Sequence, residues 1–196
     1  RERDRLAREN EALRAQLAHE EELQRDNDRL RAQLEVEPRY TGHLLEAKFF
    51  DVQRNALVST IVINKGRLDG IQPSLAVINA GNVLIGVVQE VLDHTSRVLL
   101  TDDPRATISV RVSGTSLVAE SRGVLGNRAR INLISKQETI REEDTLITSG
   151  IDRLPEGLVT GMVDHVSDSG AGLFKEVYAY AMFNPGLGSS VFIILP

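Results

Sequence analysis

Leucine and asparagine recur through residues 6–34 at steps of four, three and four, the strongest periodicity in the chain. Leu6-Ala7-Arg8-Glu9-Asn10-Glu11-Ala12-Leu13-Arg14-Ala15-Gln16-Leu17 returns as Leu23-Gln24-Arg25-Asp26-Asn27-Asp28-Arg29-Leu30-Arg31-Ala32-Gln33-Leu34. These steps put Leu6, Leu13, Leu23 and Leu30 at heptad position d and Asn10, Leu17, Asn27 and Leu34 at a. They predict an α-helical coiled coil over residues 1–36. An Asn at a is costly in an apolar seam unless it faces another Asn, so the pattern favours a parallel, in-register homodimer. Glu9 at g and Arg14 at the next e meet across such a dimer, and Asp26 with Arg31 repeats the pair. The two copies lie 17 residues apart, three more than two heptads, a stammer that overwinds the supercoil between Leu17 and Leu23. A solvated helix lying on its own domain carries a similar stripe and is the alternative.

Glu37-Pro38 stops the helix, because proline lacks the next backbone donor and restricts the residue before it. Beyond it the texture changes to short β-branched runs. Leu44–Phe50, Val58–Asn64, Leu75–Asn79, Val83–Leu92, Thr107–Val112, Arg130–Ile134, Leu146–Thr148, Leu158–Val166, Val177–Ala181 and Val191–Leu195 read as strands. Asn64-Lys65-Gly66, Asp69-Gly70, Ala80-Gly81-Asn82, Ser113-Gly114, Gly126-Asn127, Ser149-Gly150 and Asn184-Pro185-Gly186 supply turns between them. Short strands at this spacing, with no long helical pattern among them, indicate small barrels or sandwiches.

A second internal echo divides this region. Val83 to Asp93 resembles Leu158 to Asp168, with Gly86 matching Gly161, Val88 matching Val163, Val91 matching Val166 and Asp93 matching Asp168 at one offset. A glycine inside an apolar strand leaves room for a bulge, a barrel corner or a neighbouring backbone. The expectation is a mainly β chain: a coiled-coil helix over 1–36, then two related β-domains, small barrels or sandwiches, joined near Thr115–Arg122.

Composition narrows the chemistry. The chain has 196 residues, 41% of them hydrophobic, enough for one ordinary core or two small ones. A net charge of -5 creates no general attraction for nucleic acid or an anionic membrane. Aromatics at 4% with no Trp argue against base-stacking platforms, and the lack of Cys excludes disulfides, thiolate metal sites and a thiol nucleophile. No window approaches the ~18 apolar residues of a membrane-spanning helix. The chain opens at Arg1 in mid-heptad without an initiator Met. The expectation is a fragment whose upstream part held a membrane anchor.

Catalytic constellations are sparse. Ser167-Asp168-Ser169-Gly170 resembles the nucleophile segment of double-barrel serine proteases. Its one plausible histidine partner, His94, stands beside Asp93 on an extended segment, where adjacent side chains diverge. The stretch reads as a polar hairpin loop. His19, His43, His94 and His165 fall on different elements with no metal-ligand spacing, and Glu142, Glu143 and Asp144 lack the alternation of a calcium loop. His165 is expected to point outward, and Leu173 and Phe174 inward. No catalytic residue, metal or cofactor is assigned, and neither nucleic acid nor a small-molecule substrate is expected.

One family fits these pieces together. The coiled coil is followed in order by Asp69-Gly70-Ile71, Leu84-Ile85-Gly86-Val87-Val88, Val98-Leu99-Leu100-Thr101-Asp102 and Gly123-Val124-Leu125-Gly126. Then come Asp144-Thr145-Leu146-Ile147-Thr148-Ser149-Gly150-Ile151 and Leu154-Pro155-Glu156-Gly157-Leu158-Val159-Thr160-Gly161. Together they resemble the extracytoplasmic part of the bacterial rod shape-determining protein family MreC, across nearly the whole chain. Glu143 and the Asp152-Arg153-Leu154 stretch depart from the residues common there. The resemblance implies that the two β-domains are small six-stranded β-barrels, over 41–115 and 116–196, and that the protein is a non-catalytic scaffold of cell elongation, anchored by a single pass at the extracytoplasmic face of the inner membrane. It also implies a homodimer or higher assembly that links MreD and the MreB cytoskeleton to the elongation penicillin-binding protein that cross-links peptidoglycan. Gly86, Asp102, Ser149, Gly150, Pro155, Gly157 and Gly161 are its structural motif residues. A periplasmic adaptor of a transport assembly also combines coiled coil and barrels, but there the helices form a hairpin between β-segments, whereas here the helix is single and N-terminal.

Overall fold

The computed structural model describes Leu13 and residues 43–55, 57–168, 172–181 and 190–196. Gly42–Pro196 form one compact unit and Arg1–Thr41 another. Leu13 is helical and 58% exposed. The other seam positions, Leu6, Asn10, Leu17, Leu23, Asn27, Leu30 and Leu34, lie outside the described residues, as does the rest of the expected coiled coil.

Twelve strands fill the described part of the second unit, and they close into two six-stranded barrels. The first uses β1 (Leu44–Arg54), β2 (Ser59–Ile63), β3 (Ala76–Ile78), β4 (Leu84–Val91), β5 (Ser96–Leu100) and β12 (Ser190–Ile194), in the order β1-β12-β3-β4-β5-β2. The second uses β6 (Thr107–Val112), β7 (Val118–Leu125), β8 (Arg128–Asn132), β9 (Thr145–Thr148), β10 (Val159–Ser167) and β11 (Glu176–Ala181), in the order β10-β11-β8-β7-β6-β9. Alternation puts one side chain in two inside each barrel. Phe49, Ile61, Ile85, Val98, Val191 and Ile193 fill the first, while Val110, Ile131, Leu146, Val163 and Val177 are buried in the second. Full burial of each large aliphatic contributes about 1.5–3 kcal/mol.

Strand membership departs from the expected division at 115/116. β6 belongs to the second barrel although it precedes that boundary, and β12 returns to the first. Thr115–Arg122, the expected joint, instead closes the β6–β7 hairpin, with Val112 O accepting the Thr115 N–H at 3.1 Å. The physical reason is closure. An antiparallel barrel needs a sixth strand to satisfy both edges, and Val191 and Ile193 supply the inward side chains between β1 and β3 from the far end of the chain.

The two barrels have the same strand order when β12 is matched with β6 and β4 with β10. The echoing segments therefore occupy equivalent strands, and their irregularities match. The β3–β4 ladder shifts register between Leu84 and Gly86, and the β9–β10 ladder between Val159 and Gly161. The β4–β5 ladder shifts again between Val88 and Glu90, and the β10–β11 ladder between Val163 and His165. A Cβ on Gly86 would collide with the Leu99 carbonyl oxygen, and one on Gly161 with that of Tyr180. Close backbone approach at a bulge is how so small a barrel turns its corner.

Candidate functional site at the barrel junction

The connection from β5 to β6, Thr101–Ala106, carries two adjacent acids that are both buried: Asp102 is 2% exposed and Asp103 0%. A buried carboxylate is costly unless donors meet it. Asp103 has four. Its Oδ2 accepts the Ser59 N–H at 2.7 Å and the Arg105 Nη2 at 2.8 Å, and its Oδ1 accepts both the Arg105 backbone N–H and Nε at 2.9 Å. Burial pushes this carboxyl up, but the Arg105 guanidinium and the two backbone donors outweigh it and hold it below the ordinary 3.8. The same pairing raises the Arg105 guanidinium. Asp103 thereby ties the connection to β2 of the first barrel.

Asp102 faces the second barrel. Its Oδ2 accepts the Asn127 N–H at 2.9 Å and lies 3.5 Å from Arg54 Nη2 at the end of β1. Its carbonyl accepts the Leu125 N–H at 2.7 Å. Asn127, in the left-handed region at φ 63°, closes the β7–β8 turn and exchanges bonds with Ala181 on β11. Gly123 lets β7 pass against this connection, since a Cβ there would meet the Asp102 and Asp103 backbone.

A second seam joins the barrels where Val83 and Val159 form an isolated parallel bridge and the Val159 N–H donates to Asn82 O at 3.1 Å. The turn leading into it holds most of the motif residues. Thr148 Oγ1 accepts the Leu158 N–H at 2.9 Å and donates to Pro155 O, and the Gly157 N–H returns to Thr148 O at 3.0 Å. Ser149 N–H donates to Ser109 O at 3.0 Å, while Ser149 Oγ accepts the Ile151 N–H. Gly150 and Gly157 take φ of 77° and 88°, where a side chain is strained. Ser149, Gly150, Pro155 and Gly157 thus sit together on this one turn, with Gly161 just beyond it on β10. Asp102 sits at the other seam, and Gly86 lies in the first barrel's equivalent of Gly161. Asp103 and Arg54 stand in no sequence motif, and Asn127 is marked there only as a turn residue; an acidic pair before Pro104, between two apolar runs, was the available signal.

On the outer face of the second barrel, Arg128 is held by Asp164 at 2.6 Å and lies 5.3 and 5.9 Å from the rings of Tyr178 and Tyr180. His165 is exposed. Leu173 and Phe174 correct the expectation of inward side chains, for they are 82% and 50% exposed. The backbone explains it: Ser135 bridges Phe174 and the Lys136 N–H donates to Leu173 O, which secures the loop by its main chain and leaves the side chains outside. Ser169 lies outside the described residues. Among the described residues no group of three or more His, Cys, Asp or Glu is placed to hold a metal ion, and no helix is long and apolar enough to cross a membrane.

Two closed barrels of one strand order, locked through a buried acidic connection, define a double-barrel protein whose most elaborated site is a structural joint. The family model of the rod shape-determining protein MreC, barrel core, matches residues 51–195, and this chain belongs to that family. It is 34% identical over 122 residues to the cell shape-determining protein MreC of Haemophilus influenzae, covering 61% of this chain and 34% of that one. The chain therefore spans about a third of the length of the curated relative it matches. The crystal structure of MreC from Pseudomonas aeruginosa is similar at 28% identity and a TM-score of 0.73, covering 78% of this chain and 99% of that one. MreC from Helicobacter pylori, solved in a complex with the penicillin-binding protein PBP2, shares the fold at 16% identity and a TM-score of 0.57, covering 78% and 99%.

Proposed function

We propose that this chain is the extracytoplasmic scaffold portion of a cell-elongation assembly, and that it holds a peptidoglycan-synthesising penicillin-binding protein on the surface of its paired barrels. The observation that carries the reading is the junction. Asp102 and Asp103 tie one connection to both barrels, which favours a rigid platform over two independent modules. A preformed surface loses little conformational freedom on binding, and that favours a scaffold. The Helicobacter pylori relative is described in complex with PBP2, so an elongation transpeptidase is the first partner to test.

Self-association through the heptads Leu6 to Leu34 would pair two such platforms and multiply weak contacts through effective concentration. A membrane anchor upstream, with MreD and the MreB cytoskeleton beyond it, completes the reading. The Tyr178, Tyr180 and Arg128 cluster is the face we assign to the partner, since tyrosine and arginine dominate interface hot spots and cation–π contacts hold these groups in place beforehand. Interferometry against the purified extracytoplasmic domain of an elongation transpeptidase from a rod-shaped bacterium tests it. Saturable binding that weakens when the heptad leucines are replaced is expected. No binding at high micromolar concentration, with or without MreD, would remove the reading.

A further inference from the structure

The first barrel is complete only when the last strand of the chain has arrived. β5 ends at Leu100, the chain then builds the whole second barrel, and β12 returns at Ser190 to enter between β1 and β3. The equivalent strand of the second barrel, β6, runs straight into β7 through a short turn. Only the first barrel thus depends on a strand brought back from far along the chain, the Ser190–Glu46 contact spanning 144 residues.

We propose that the slot between β1 and β3 is a strand-acceptor site, filled by β12 of the same chain or by β12 of a second copy, so that two copies exchange their C-terminal strands. Slot and occupant are both specified. On one side Leu45 faces Ile193, Glu46 faces Phe192, and Lys48 faces Ser190; on the other Phe192 faces Ile78 and Ile193 faces Val77. Val191 and Ile193 are 0% exposed, and Ser190 Oγ donates to the Glu46 carboxylate. Every one of these contacts is the same whichever chain donates the strand, which makes exchange a low-cost route to association.

The slot left unfilled is costly. β1 and β3 would both present unpaired N–H and C=O groups, and Ala47, Val77 and Ile78, all 2% exposed or less, would meet water. The donor suits the task as well. Ser189-Ser190-Val191-Phe192-Ile193-Ile194-Leu195 contains no charge and no proline, the composition of segments that add to open sheet edges. A second donor adds the entropy cost of bringing two chains together, so exchange is favoured at high protein concentration. The nine steps from Ala181 to Ser190 reach at most about 32 Å, so exchange requires the first barrel of one copy near the second barrel of the other. None of this rests on the partner reading above.

The chain contains no cysteine, so engineered thiols report one pairing cleanly. Full chains carrying Lys48→Cys alone and Ser190→Cys alone are unfolded together, refolded at high concentration and oxidised, and the cross-linked peptides are quantified by mass spectrometry. A disulfide joining position 48 of one chain to position 190 of the other requires the exchanged strand. The expected result is a mixed disulfide about tenfold above either like-with-like product. A mixed product near the statistical value of about twofold would overturn the proposal. A chain carrying both substitutions serves as the register control and closes within itself at high dilution. Failure of that closure overturns the proposal too, because the slot would then not hold this strand.

Discussion

Asp102 accepts the Asn127 N–H at 2.9 Å on the same oxygen that lies 3.5 Å from the Arg54 guanidinium. Arg54 ends β1 of the first barrel and Asn127 turns β7 into β8 of the second, so one carboxylate oxygen spans both. The connection is a strut, and its neighbour Asp103 anchors it to β2.

Asp102→Ala removes this acceptor and leaves the Asn127 N–H without its bond. The expected loss is about 1–3 kcal/mol. Because the strut couples the barrels, denaturant unfolding followed by hydrogen exchange is expected to divide into two transitions in the variant. A single transition at the unchanged midpoint would show that the barrels do not communicate through Asp102.

Asp103 predicts a pH dependence. Its folded carboxyl sits below the ordinary 3.8, so its contribution is fully present above the unfolded value and is lost as pH falls through the folded one. At pH 7, Asp103→Asn is expected to cost about 2–3 kcal/mol, since Arg105 and Ser59 lose a charged acceptor. Below about pH 3.9 the gap between the two proteins narrows. A gap that stays constant from pH 7 to pH 2 in urea titrations would rule this out.

Gly86→Ala and Gly161→Ala force a methyl group into the backbone of the next strand. Each is expected to destabilise by about 3 kcal/mol, and by similar amounts because the bulges are equivalent. Gly81→Ala, where the nearest atom is the Asn79 side chain at 3.4 Å, stays within about 0.5 kcal/mol. Thermal melts of the three variants check the contrast.

Tyr180 is 51% exposed, so Tyr180→Ala gives up little of the fold, about 1 kcal/mol or less from its contact with Arg128. If this face holds the transpeptidase, affinity falls by about 2 kcal/mol or more. Unchanged affinity in interferometry moves the docking face elsewhere.

Replacing Leu13 and Leu30 with Asp puts charge into the heptad seam and is expected to give a monomer with intact barrels. Sedimentation checks the mass and circular dichroism the barrels. A double variant that still sediments as a dimer would reject the zipper.

Much of this molecule is legible along the chain. All ten expected strands have counterparts, because short runs of apolar and β-branched residues stand between Gly, Asn and Asp turns. The motif turn from Thr148 to Gly161 is legible for a related reason: Gly150, Pro155 and Gly157 mark backbone conformations that other residues adopt at a cost. β7 escaped because its inward positions are Ala119, Ser121 and Gly123, too small to register as a hydrophobic strand. β5, Ser96–Leu100, escaped too, and its apolar Val98-Leu99-Leu100 entered only as part of a motif.

Strand existence and the repeated bulge thus follow from local side-chain pattern and steric exclusion, which the chain carries in its own order. Barrel membership does not. Ladder hydrogen bonds join backbone groups common to nearly all residues, so nothing local directs β12 to β1 and β3 or hands β6 to the second barrel. Only closure of both edges and burial of Val191 and Ile193 decide that placement. The pairing of Asp102 with Asn127 depends on it in turn, because two buried carboxylates find their donors only after both barrels have formed around them.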